Sequence, residues 1–469
     1  MRVSDGNKSG LGRYARSRLT LGCLLSPLLL LLMVLLVAAI GCWMHLRRSH
    51  NELVQEIASV RETGRPLTTI DLELLYKPEP GLPDVTAELE RVLRILDDKE
   101  VEDSLARVRK LGDALRTTPN REPTPELAEI ERLLARFEQL LAFAPSLLDR
   151  EFTTRFSYDL TLGFASSTPH AFRMLQGTQV LGLQLRVDLY CGRTSEAVNR
   201  LLQQLAMADT LGNDPNAIPQ IVRLVIIRTA VTSLELLLGQ QEVEEQDLTR
   251  LQSAFQKLDL RRSLQFTIRA ERAMEYTCCT WPVESLAESD GDEKTRNRDF
   301  IEQNLARGPR YPWDAAVVLK SFRRLDEAAE SSVHAVVREW NAVSDECRTR
   351  IKRAGRTYPY SSVLLPPFSI TIKQFAMADA QGGAAIAAIA AARFRKRTQR
   401  WPATWQELVP EYLPVIPLDP FSGQEMLLRL SSESLKIYSV GENKQDESGS
   451  WQEGEFADVG VAIEVGKPE

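Results

Sequence analysis

The stretch "WPATWQELVPEYLPVIPLDPFSGQ", Trp401–Gln424, sets five prolines at close intervals between a helical and a strand-like region. Pro402, Pro410, Pro414, Pro417 and Pro420 fix the backbone where it turns without donating hydrogen bonds. Trp401, Trp405, Tyr412 and Phe421 bring large apolar surfaces to a small core. Beyond them, "MLLRLS", "SLKIYSV" and "VGVAIEV" alternate as three short strands. Before them, a helix from Ile370 runs through "AAIAAIAAARFRKRTQR", whose small alanine face permits close packing. Its basic cluster, Arg393, Arg395, Lys396 and Arg397, reads as a solvated helix end that complements the helix dipole. The expected unit is a helix on a small antiparallel sheet. Pro366-Pro367 precede it and are read as a helix break, which makes 366–469 a module expected to fold alone.

The chain has 469 residues, more than one ordinary core organises, with 43% hydrophobic and 26% charged residues. That composition is globular. A net charge of -6 argues against broad nucleic-acid binding, which requires a basic footprint. Six cysteines, Cys23, Cys42, Cys191, Cys278, Cys279 and Cys347, show no C-x-x-C spacing, so they read as buried or free thiols.

No charged residue interrupts 19–44, "LTLGCLLSPLLLLLMVLLVAAIGCWM". That length suffices for a membrane helix and exceeds an ordinary secretory core. Arg2, Lys8, Arg13, Arg16 and Arg18 lie before it, against a single Asp5. The heavier basic flank stays in the cytoplasm. The expectation is a signal-anchor in a bacterial inner membrane, with 1–18 as a cytoplasmic tail and the rest extracytoplasmic. Two rival readings are lipidation at Cys42, after "AIGC", and simple signal-peptide cleavage.

From 45 to 365 the chain reads as a helical body. "NELVQEIASVRETG" is a juxtamembrane helix ended by Gly64. Leu89, Val92, Leu93 and Leu96 share a helix face, and Thr124-Pro125-Glu126 is a helix-start signal. Between Met174 and Gly239, helices alternate with short Gly-containing turns. Val198, Leu201, Leu202, Leu205 and Ala208 face inward on one of them. This is the logic of tetratricopeptide-like helical-hairpin solenoids, without their full consensus. "ESDGDEKTRNRD" reads as an exposed loop, and one long helix is expected from Asp314 toward Arg353.

The tail resembles the C-terminal part of the type II secretion major pseudopilin. The matching residues are Trp401-Pro402, Leu408-Val409-Pro410-Glu411-Tyr412-Leu413, Asp419-Pro420-Phe421 and Tyr438-Ser439-Val440-Gly441. The whole layout also resembles bacterial envelope proteins that join one membrane anchor, a helical body and this tail. The pseudopilin's processed leader and N-terminal hydrophobic helix have no counterpart beside this module, whose helix is internal. The resemblance implies calcium in the loop after Tyr438, with Asn443, Asp446 and Asp458 as side-chain ligands; the alternative is a solvated acidic hairpin.

Catalytic motifs do not emerge. His45, His50, His170 and His334 fit no H-E-x-x-H, and no Walker loop or G-x-S-x-G elbow is present. Glu271 and Glu275 lie one helical turn apart, and their expected partners are Arg269 and Arg272. The sequence therefore points to a mainly α, non-enzymatic, membrane-anchored scaffold for protein partners. The alternatives are an accessory component of a secretion or pilus-like machine, and an envelope enzyme whose site has no motif.

Overall fold

The computed structural model describes residues 11–115, 124–149, 151–157, 159–160, 166–281, 298–354, 357–450 and 458–465. Fifteen α-helices and one small sheet are described. They begin with α1 (Leu11–Glu62), α2 (Thr69–Leu75), α3 (Thr86–Leu93), α4 (Lys99–Ala114), α5 (Pro125–Leu134) and α6 (Glu138–Phe143). Next come α7 (Pro169–Tyr190), α8 (Thr194–Asp209), α9 (Ala217–Gln240), α10 (Glu245–Gln256) and α11 (Leu260–Cys278). The chain continues through α12 (Arg298–Arg307), α13 (Pro312–Ala329), α14 (Val333–Ala354) and α15 (Pro359–Thr398) to β1 (Leu427–Leu430), β2 (Ser434–Ser439) and β3 (Val459–Glu464).

The apolar run 19–44 and the helix expected after it, from Asn51, are one element. α1 is long and apolar enough to cross a membrane, and Leu29 to Val37 stand exposed on it. Its C-terminal part turns amphipathic: Leu53 and Val60 are buried against the body, where α1 packs on α13. Gly64, at φ 65°, then reverses the chain. Arg323 of α13 grips Glu56 of α1, with Nε–Oε2 2.7 Å. Just past α1, Arg65 reaches Asp326 at 2.6 Å. Arg269 and Arg272 of α11 reach the same carboxylate at 2.9 and 3.5 Å. Asp326 is fully buried and Arg272 nearly so. Removing one side of such a buried pair strands the other charge, at a cost of about 3–5 kcal/mol. These two arginines, expected on Glu271 and Glu275, therefore serve the α1–α11–α13 junction instead.

Local signals place the body helices. Thr124 caps α5, its Oγ1 accepting from Leu127 N–H at 3.1 Å, with Pro125 in the first turn. The inward stripe of α8 is buried as read, and α7, α8 and α9 pack on one another in sequence. Gly192, at φ 73°, closes α7. The long helix expected from Asp314 to Arg353 is two, α13 and α14. Ser332 makes the restart, its Oγ accepting from Ala335 N–H at 3.1 Å. Most of "ESDGDEKTRNRD" lies outside the described residues, and its last two residues open α12.

The expected break at Pro366-Pro367 does not occur. α15 runs through both prolines, and the boundary expected at 366 falls inside it. Two features offset the missing N–H groups. Buried Asp314 of α13 caps the helix start, accepting from Tyr360 N–H at 2.7 Å and Ser361 N–H at 3.2 Å. Leu364, Leu365 and Phe368 are buried, while both prolines stand exposed on the outer side of the helix.

The sheet is antiparallel, in the order β1-β2-β3, with Leu427 opposite Tyr438 and Leu435 opposite Ile463. Leu435, Ile437, Val461 and Ile463 turn one face inward. They share a core with Ala384, Ala388 and Ala391 of α15, and with Leu201, Leu234 and Leu251 of the body helices. Glu235 of α9 accepts from Ala462 N–H on β3 at 2.8 Å. Asp419 joins two of the matched motif pieces. It accepts from Ser439 Oγ at 2.7 Å and Val440 N–H at 3.0 Å. The turn it builds rests on α14, where His334 Nδ1 lies 3.1 Å from Pro420 O. Gly423 belongs to that turn; at φ +75°, a Cβ there would come within 2.7 Å of the His334 ring. The tail and the body thus have a common core, and α15 runs across the boundary expected at 366.

Candidate functional site

Three helices and a turn bring a set of ionisable groups together inside the body. The turn Leu211–Asn216 follows from "LGNDPNA", where Gly, Asn, Asp and Pro end α8. Asp214 accepts from Asn216 N–H at 3.1 Å, and Asn216 caps α9 by accepting from Ile218 N–H at 2.9 Å. His170, at the start of α7, places Nε2 2.8 Å from the other Asp214 oxygen. Phe156 stacks on the imidazole at 4.2 Å, and its N–H donates to Tyr76 Oη at 3.0 Å. Glu271 of α11 accepts from Ala217 N–H, at the start of α9, at 3.2 Å. Glu275 stands one turn further on, and its Oε2 has no hydrogen-bond partner among the described residues.

This environment favours the neutral form of both glutamates. Burial pushes Glu271 up to about 7, against the lowering effect of Ala217 N–H. Burial and the neighbouring Glu271 push Glu275 well above the usual carboxylate range. Burial raises the Tyr76 phenol and the Cys278 and Cys279 thiols too. A cluster of this kind is compatible with proton transfer. Glu271 and Glu275 are, however, only 7% and 3% exposed, so neither offers a carboxyl to a ligand in this conformation. The i, i+4 spacing of Glu271 and Glu275 on one helix face was visible in the sequence. The turn 54 residues away that supplies Ala217 N–H was not.

The residues expected to hold calcium divide into two sets. Asp446 is taken: it accepts from Tyr438 Oη at 2.9 Å and Ser448 N–H at 2.8 Å, and pairs with Arg429. Asn443 donates to Glu447 at 2.6 Å. Asp458 is buried and accepts from Gly449 N–H at 2.8 Å, while its Oδ1 has no well-formed hydrogen bond. Burial raises Asp458, and the nearby Glu447 carboxylate adds to the rise. Glu447, not singled out in the sequence as a ligand, is therefore what links Asn443 to Asp458. Among the described residues, no three of His, Cys, Asp and Glu gather as a metal-holding group. Cys42, Cys191, Cys278, Cys279 and Cys347 are free thiols.

Comparison with protein families, curated proteins and solved structures finds no match to this chain.

The buried glutamates give a signed pH dependence. A carboxyl raised in the folded state binds its proton more tightly folded than unfolded. The stability it adds is complete below the unfolded carboxyl range and is lost as pH rises toward about 7 for Glu271. The melting temperature of the detergent-solubilised protein should fall between pH 5 and pH 8. Glu271→Gln and Glu275→Gln together should flatten that fall. An unchanged slope in the double variant would contradict the assignment.

Proposed function

We propose that the protein is a non-enzymatic scaffold of a bacterial inner membrane, held by α1 with its N-terminus in the cytoplasm and its body outside. The observation that carries this reading is an apolar face on α15. Val363, Pro366, Pro367 and Ile370 stand exposed at i, i+3, i+4 and i+7, one side of a helix that is otherwise largely buried. Val363 is 51% and Ile370 57% exposed. Pro366 and Pro367 have no N–H, so they cannot donate to the carbonyls of Ser362 and Val363 one turn earlier. An exposed apolar stripe of this kind suits a protein surface. The consecutive packing of α7, α8 and α9 supports a hairpin-solenoid reading of the body.

A second reading, an accessory part of a secretion or pilus-like machine, is favoured by the Asp419–Ser439 bond that couples two pseudopilin-like motif pieces. On that reading calcium is held by Asn443, Glu447 and Asp458, with Asp446 outside the ligand set. Calorimetry at millimolar Ca²⁺ should then give a heat of binding that Asp458→Asn abolishes and Asp446→Ala preserves. No heat with the unaltered protein, or loss on removing Asp446 alone, would contradict this arrangement.

For the scaffold itself, a photo-cross-linking residue in place of Val363 or Ile370 should capture a discrete protein in cells. The same residue in place of exposed Asp345 on α14 should not. Val363→Asp combined with Ile370→Asp should abolish co-purification of that protein while leaving the melting temperature close to that of the parent. Equal capture from all three positions, or no capture from the stripe, would contradict the reading.

A further inference from the structure

The basic end of α15 is less solvated than its sequence suggests. Arg393 bonds Glu245 at 2.6 Å and Gln252 at 2.9 Å. Lys396 holds Glu244 at 2.8 Å and Val243 O at 3.1 Å. Arg397 pairs with Glu411, and Arg400 with Glu407. Together they clasp the turn between α9 and α10 on one side and the proline-rich segment on the other. Arg395 is the exception. It meets no carboxylate among the described residues, and its guanidinium lies over the Trp401 ring, 4.8 Å from the centroid.

Arg395 stands at a cavity of about 320 Å³. Leu238, Val243, Leu248 and Trp401 form its apolar wall, all of them buried. Trp401 is only 7% exposed, and its Nε1–H has no acceptor among the described residues, whereas nearby Trp405 donates to Met426 O at 3.0 Å. Two acceptors complete the rim. Glu242 is exposed and in no ion pair among the described residues, and Gln399 uses its Nε2 on Lys396 O at 3.0 Å, which leaves its Oε1 free to accept.

A guanidinium held over an indole ring by cation–π attraction keeps N–H donors available, and its planar fork can take a carboxylate through two parallel N–H bonds. The wall beside it takes an apolar group attached next to that carboxylate. Acceptors on the rim suit N–H donors further along the same ligand. We propose that this cavity binds a carboxylate flanked by an apolar group, namely the free C-terminus of a polypeptide ending in an aliphatic residue. Arg395 holds the terminal carboxylate, Leu238 and Val243 with Trp401 receive the last side chain, and Glu242 and Gln399 accept from the preceding backbone N–H groups. The site is separate from the exposed α15 stripe, and the two proposals can fail independently.

The test uses the full chain in detergent and three probes: an acetylated Val-Leu-Val-Leu peptide with a free carboxylate, its C-terminal amide, and octanoate. Calorimetry should show the peptide acid binding at least about tenfold more tightly than the amide, because the amide forfeits a charge-assisted pair. Octanoate should bind more weakly than the peptide acid, since it lacks backbone donors. Arg395→Gln should weaken the peptide acid about tenfold and leave the amide unchanged, with a melting temperature matching the parent. Arg395→Lys, which keeps the charge but loses the planar fork, should fall between them. Equal affinity for acid and amide, octanoate binding as tightly as the peptide acid, no binding of the acid at millimolar concentration, or an Arg395→Gln variant as tight as the parent would each overturn the proposal.

Discussion

The structure depends on the burial of α15. A helix apolar on nearly all sides must be enclosed by its neighbours, and two cores do this. Its first half joins the core around Phe322, Trp340 and Phe368. Its second half, where Ala384, Ala385, Ala387, Ala388, Ala390 and Ala391 are all fully buried, joins the core shared with α9, α10 and the sheet. Alanine does this better than leucine because the absence of a long side chain lets helix and sheet backbones approach closely. An added methylene on that ridge has little space to enter, and overpacking of this kind costs about 1–3 kcal/mol.

The same spine joins the N-terminal helix, the body and the tail. α13 lies against α1, α11, α14 and α15, so it bridges the N-terminal helix and the helix that leads into the tail. Asp326 of α13 collects Arg65, Arg269 and Arg272 just past the end of α1, and Asp314 of α13 caps α15. The eighteen residues of α1 after its apolar run, 45–62, rise about 27 Å at 1.5 Å per residue. From Ser49 onward this part of the helix lies along the body, with Leu53 and Val60 buried and Glu56 paired with Arg323, so the apolar run is held rigidly to the rest of the fold.

Much of this was legible where the signal is local. The cap at Thr124, the buried stripe of α8, the left-handed Gly64 and Gly192 and the three strands all follow from neighbouring residues. What sequence did not reveal depends on distant partners. Pro366-Pro367 read as a stop because the carboxylate that caps the helix at Tyr360, Asp314, lies 46 residues before that cap. Ser331-Ser332 was too weak a signal against the helical pattern on either side. Arg269 and Arg272 were matched to the nearest glutamates, yet Asp326, 57 residues from Arg269, claims them both. At the tail, the acidic loop was visible as a loop. That Arg429 and Tyr438 would consume Asp446, and that Glu447 would approach Asp458, required the folded register of β1, β2 and β3.

The shared core makes one strong demand, that the tail cannot fold without the body. The direct measurement is a two-dimensional amide spectrum and thermal melt of residues 366–469 produced alone, beside residues 45–469. The fragment lacks the first turns of α15, the Asp314 cap and the walls supplied by α9 and α10. It should give a collapsed, poorly dispersed spectrum and no cooperative transition, while the longer chain melts cooperatively. A dispersed spectrum with a sharp melt from 366–469 alone would contradict the account.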